Sequence, residues 1–115
     1  MRPARNSFKV FFALVLLLAL CLASCRKAST PRCVEINWIP PAQPLTHYEV
    51  FRSTQPGIYD ETKPYASHIE GTRFIDSDVV EGQTYYYRIR SVRENSTGIR
   101  RSSLSEEAMA FVPKR

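Results

Sequence analysis

Apolar and polar side chains alternate along most of this chain, and the clearest run starts at Tyr85. Tyr85, Tyr87 and Ile89 point to one face; Tyr86, Arg88, Arg90 and Val92 point to the other. A period of two with aromatic and β-branched residues, entered through Glu81-Gly82, predicts a β-strand with one face buried and one face wet. The same alternation recurs upstream. Val34, Ile36 and Trp38 share a face until Pro40-Pro41 stops the strand, since proline has no N–H to give a ladder. Tyr48, Val50 and Arg52 alternate with His47, Glu49 and Phe51, and Ser53-Thr54-Gln55-Pro56-Gly57 turns the chain. Ile58 to Lys63 reads as irregular or as a weak strand. Short strands are predicted over 65–69, at a sheet edge behind Pro64, and over 72–75 with Phe74 inward. The connection 76–82 tucks Val79 into the core, Glu94 to Gly98 closes a hairpin, and a last strand falls within 104–112. The 3.6-residue period is not sustained anywhere; Ser105 to Met109 is a short helix-like patch. Six to seven short strands separated by turns predict an all-β sandwich in a single domain.

The first 24 residues follow a different pattern. Arg2, Arg5 and Lys9 precede an uncharged apolar run from Val10 to Leu20. That run is shorter than the about 20 residues a membrane span needs, and it predicts a secretory signal peptide over 1–24. Leu22-Ala23-Ser24-Cys25 resembles the lipobox of bacterial lipoproteins. The resemblance implies that Cys25 is thioether-linked to a diacylglyceryl group and becomes the mature N-terminus; Cys21 fits worse, because Leu20 before it is large. A single acyl chain anchors marginally and two or more anchor stably. The alternative is an ordinary secreted protein in which Cys25 is incidental. Residues 25–33 then form the lipidated cysteine and a short basic tether, RKASTPR, ahead of a domain over 34–113 and a Lys114-Arg115 tail. Cleavage discards Cys21 and lipidation consumes Cys25, so Cys33 is expected to stand alone as a half-buried thiol without a disulfide.

Within the domain, the motifs VEINW, HYEVFRSTQPG, TRFIDSDVVEGQTYYYRIRSV and RSSLSEE occur in that order. Together they resemble a fibronectin type III domain of the bacterial kind. The resemblance implies an immunoglobulin-like β-sandwich with Trp38 inward on the second strand and a Tyr-x-Val-x-Arg-Ser strand running into the Pro56-Gly57 turn. It also implies a tyrosine corner at Tyr85, preceded by Val79 and Gly82, whose hydroxyl bonds back to the upstream backbone. Little chain lies between Cys25 and Trp38, so the family's first strand is expected to be shortened, absent or strung straight from the lipid.

Charge and chemistry narrow the function. The net charge of +5 is carried by the termini: between Val34 and Val112 eight basic residues face eleven acidic ones, so a basic nucleic-acid-binding stripe is not expected. His47 and His68 read as isolated solvated side chains, and no cysteine–histidine spacing predicts a metal site. Asp76 and Asp78 read as an Asx-type turn rather than a Ca²⁺ site. There is no Gly-x-Ser-x-Gly elbow, no phosphate-binding glycine loop and no Arg-Gly-Asp; Asn95-Ser96-Thr97 reads as loop sequence. Neither catalysis nor a cofactor is expected. The candidate partner surface is Tyr86, Arg88 and Arg90 on the outward face of the central strand, since tyrosine and arginine are enriched at protein interfaces. The expected function is a lipid-anchored, non-catalytic interaction or spacer module at the bacterial cell envelope, held to the membrane by its lipid and contacting another envelope protein. In a bacterium with two membranes, Arg26 after the lipidated cysteine points to the outer one. The alternative is a carbohydrate-associated accessory module that binds cell-wall glycan or polysaccharide.

Overall fold

A computed structural model describes the backbone of residues 16–18 and the whole of residues 33–114. Eight strands follow in chain order: β1 (Leu16–Leu18), β2 (Val34–Asn37), β3 (His47–Ser53), β4 (Ala66–Ile69), β5 (Arg73–Asp76), β6 (Thr84–Asn95), β7 (Gly98–Arg101) and β8 (Ala108–Phe111). They form two antiparallel sheets, ordered β1-β2-β5 and β4-β3-β6-β7, with β8 also paired to β6. β6 is the longest strand, and β7 and β8 share one of its edges, β7 along Val92–Asn95 and β8 along Thr84–Tyr87. Between them two serines replace the missing ladder: Ser105 Oγ accepts from Ile89 N at 2.9 Å and Ser102 Oγ from Ser91 N at 3.0 Å. Counting β7 and β8 as one lane, the sandwich has the expected all-β architecture.

The core is the set of alternate positions that face each other across the two sheets. Val34, Ile36 and Trp38 from one side meet Tyr48, Val50, Tyr85, Tyr87, Ile89, Ala108, Ala110 and Val112 from the other, with Phe74 and Val79 packed against them. Trp38 and Tyr48 meet edge to face at 5.1 Å and 72°, the arrangement their ring quadrupoles favour. The tyrosine corner is present: Val80 N donates to the Tyr85 hydroxyl at 2.9 Å. The chain can reach that position because Gly82 adopts φ 87, where a side chain would be strained and a Cβ would lie 2.7 Å from the Lys114 side chain.

The first strand is short, as expected: β1 has three residues and pairs antiparallel with β2 through Leu16↔Asn37, Leu17↔Ile36 and Leu18↔Glu35. It comes from the apolar run of residues 10–20 rather than from residues 26–32, which was not expected. In addition, Cys33 is disulfide-bonded and 4% exposed, not a lone half-buried thiol. Its partner lies outside the described residues. The expectation of a lone thiol assumed a processed chain, whereas the full chain still holds Cys21 and Cys25.

Candidate functional site

Polar chemistry concentrates on the outer face of the β3-β6-β7 sheet. Directly opposed residues of an antiparallel pair share a face, so His47, Glu49 and Phe51 of β3 lie beside Val92, Arg90 and Arg88 of β6. Alternation predicts a wet face, but Arg90 is 7% exposed and Glu49 5%. The cover is the segment between β3 and β4, which doubles back over the sheet. Arg90 donates through Nε and Nη2 to Glu49 Oε1 at 3.0 and 2.7 Å, and through Nη2 to the Glu61 carbonyl at 3.2 Å. Its Nη1 lies 3.5 Å from Glu61 Oε1, and the guanidinium stands 4.8 Å over the Phe51 ring. Arg101 Nε approaches Glu49 Oε2 at 3.6 Å. Glu49, Glu61, Arg90 and Arg101, with Thr62 and Pro64, line an open cleft of about 310 Å³. Its charges are spent on each other: a buried arginine needs this pairing to offset its desolvation.

Toward the other end of the sheet, Arg88 donates to the Ser105 carbonyl at 3.3 Å and lies 5.3 Å from the centroid of the Tyr59 ring. The Tyr59 hydroxyl donates to Glu107 Oε2 at 2.7 Å. Burial, then that bond, pushes the Tyr59 phenol well above its ordinary range. Tyr86 is half-buried opposite Met109, and Met109 and Phe111 are exposed on β8. Tyr86, Arg88 and Arg90 are thus not the solvated strip that alternation suggested. The two arginines hold the returning segment and the break between β7 and β8 in place, and β-period alone carries no trace of a segment folding back from elsewhere in the chain.

Asp76 sits inside the sandwich, 2% exposed. It accepts from Tyr87 OH at 2.6 Å, Tyr65 OH at 2.8 Å and Arg52 Nη1 at 2.9 Å, and its Oδ1 takes the Asp78 N–H at 3.1 Å. The last bond is the Asx turn expected at this pair, and the carboxylate is fully engaged by protein donors. Burial first, and the bond to Asp76 second, push the Tyr65 phenol up to about 12 and Tyr87 higher still.

The two histidines are not isolated. Along β3 the pairs Tyr48↔Ile69 and Val50↔Ala66 advance by two residues, while β4 advances by three, so β4 carries a bulge. His68 lies within it at φ 57, a left-handed conformation that few non-glycine residues adopt. The His47 and His68 rings stack at 4.3 Å with 25° between their planes. Glu94, near the end of β6, completes a group whose ligand atoms all lie within 4.8 Å of one another. No spacing motif announces the trio, because a bulge and two strand pairings assemble it from residues 47, 68 and 94. Cys25, the expected lipidation site, lies outside the described residues.

No protein-family model matches the chain, and no curated protein does. Solved structures do. An Fn3-like protein from Clostridium thermocellum is 27% identical over 72% of this chain and 79% of its own, with a TM-score of 0.59. The twitchin kinase region from C. elegans is 25% identical over 70% of this chain and 14% of its own, at a TM-score of 0.54. A β-1,2-glucanase from Parabacteroides distasonis is 20% identical over 91% of this chain, with a TM-score of 0.65, and the match spans 13% of that enzyme. With the Trp38 core, the Tyr85 corner and the two-sheet strand order, these likenesses make the described residues a fibronectin type III-like β-sandwich.

Proposed function

We propose that this protein is a non-catalytic, lipid-anchored module of the bacterial cell envelope that engages an extended segment of another envelope protein. The observation that carries the reading is the origin of β1. Leu16–Leu18 belong to the apolar run ahead of Leu22-Ala23-Ser24-Cys25. Signal cleavage before Cys25 removes them, and the mature sandwich then lacks its first lane. The edge of β2 turned toward β1 is left with unpaired N–H and C=O groups, beside the core residues Val34 and Ile36. An open edge over an apolar core is a template for strand addition by another chain. The inventory of side chains supports a binding role: the buried ionisable groups Asp76, Glu49 and Arg90 are each paired within the fold.

The test is to express the full chain and Cys25→Ser with a labelled fatty acid and to fractionate membranes. The wild type is expected to be labelled and membrane-bound, and Cys25→Ser unlabelled and released. Label persisting in Cys25→Ser overturns the anchor. Retention on purified cell-wall polysaccharide would instead favour the carbohydrate-associated alternative.

A further inference from the structure

We propose that His47, His68 and Glu94 form a binding site for a borderline divalent metal ion, with Zn²⁺ the natural probe. This rests on the geometry of the outer sheet face and is independent of the lipid anchor. Two imidazoles and one carboxylate are a donor set that zinc takes with a further position left open, whereas Mg²⁺ and Ca²⁺ prefer oxygen throughout. The three residues approach from three different strands, β3, β4 and the end of β6, so the site is held by sheet pairing rather than by a single flexible loop.

Each ligand has a reason to be where it is. His47 is 5% exposed and opposed to Val92 across β3 and β6, which fixes its backbone at the sheet's outer face. His68 reaches the same place through the β4 bulge, a device that re-aims a side chain. The cost is a non-glycine residue at φ 57. Its Nδ1 lies 3.2 Å from Ser67 Oγ. With the proton on Nδ1 and donated to that hydroxyl, Nε2 presents its lone pair, the orienting contact that metal-binding histidines use. Glu94 is fixed through its own backbone, whose N–H donates to Thr46 Oγ1 at 2.8 Å, next to His47 in sequence. The ligand atoms lie within 4.8 Å of one another. An ion about 2.1 Å from each ligand sets them roughly 3.4 Å apart, so the group closes by about an ångström on binding. His68 and Glu94 are both exposed and can rotate to do so. An ion held there would cross-link β4, the edge strand, to β3 and β6, and its open position faces solvent, where a water or a donor from another molecule completes the shell.

The experiment uses the full chain, purified in detergent without a histidine tag, stripped with a chelator and titrated with ZnCl₂ by calorimetry and thermal unfolding. One equivalent of Zn²⁺ is expected to bind and to raise Tm, because an ion that binds only the native state stabilises it. The variants His68→Gln and Glu94→Gln replace exposed side chains and should fold with the apo Tm of the wild type; each should weaken binding roughly tenfold or more, and Ser67→Ala by up to about tenfold through loss of the orienting contact. Substoichiometric binding, no rise in Tm, or unchanged affinity in both His68→Gln and Glu94→Gln overturns the site and leaves the stacked imidazoles as packing alone.

Discussion

At the residue scale, the ionisable groups show which charges the fold depends on. Glu49 and Arg90 are paired and covered, whereas Glu61, the other carboxylate near Arg90, has its side chain 62% exposed. Removing one partner of a buried pair leaves an uncompensated charge, so Glu49→Ala is expected to lower unfolding free energy by about 3–5 kcal/mol. Glu61→Ala should cost under about 1 kcal/mol, as exposed pairs do. Denaturant unfolding of the two variants separates them, and equal losses would contradict the burial assigned to Glu49. The phenols over Asp76 set an alkaline limit. Tyr65 is raised to about 12 and Tyr87 further, against the ordinary value near 10 in the unfolded chain. A raised folded value means that the folded state holds its proton where the unfolded state releases it. This contribution is complete below about pH 10 and is lost as pH rises toward 12 and beyond. Stability measured from pH 8 to 12 should be flat at first and then fall, with a smaller fall in Tyr65→Phe. Sequence alternation identified Tyr85, Tyr87 and Ile89 as inward because that depends only on a period of two. It could not find the Glu49–Arg90–Glu61 group or the His47–His68–Glu94 group, because both are made by contacts between positions distant in sequence.

At the element scale, the motifs that carried the resemblance map onto β2, β3, β5 and β6, and the strand boundaries follow the prolines and glycines that flank them. What the sequence obscured has two physical causes. The bulge in β4 is a single extra residue, which no alternation pattern reveals in so short a strand. The cover over the outer sheet face comes from an irregular segment whose placement depends on Tyr59 and Glu61 finding Glu107 and Arg90. The first lane is the element on which the functional reading turns. If β1 leaves with the leader, a chain beginning at Cys25 should show fast amide exchange at the β2 N–H groups directed toward β1 and slow exchange at those directed toward β5. Uniform protection along β2 would mean that the tether or a second copy fills the lane, and the edge would then not be available to a partner.

At the scale of the whole molecule, one core joins two sheets, and Trp38 stands at its centre. Trp38→Ala should cost about 3–5 kcal/mol, a large share of the roughly 5–15 kcal/mol that holds a domain together. An unchanged melting temperature would be incompatible with the packing of Trp38 against Tyr48. In the proposed reading the sandwich is a scaffold and residues 1–24 are its address, with Cys25 as the first residue of the mature chain. Intact-mass and peptide mass spectrometry of the protein extracted from membranes tests that junction most directly. The account predicts a mature chain that starts at Cys25 and carries a thioether-linked diacylglyceryl group. A chain that retains residues 1–24 and carries no lipid would contradict it.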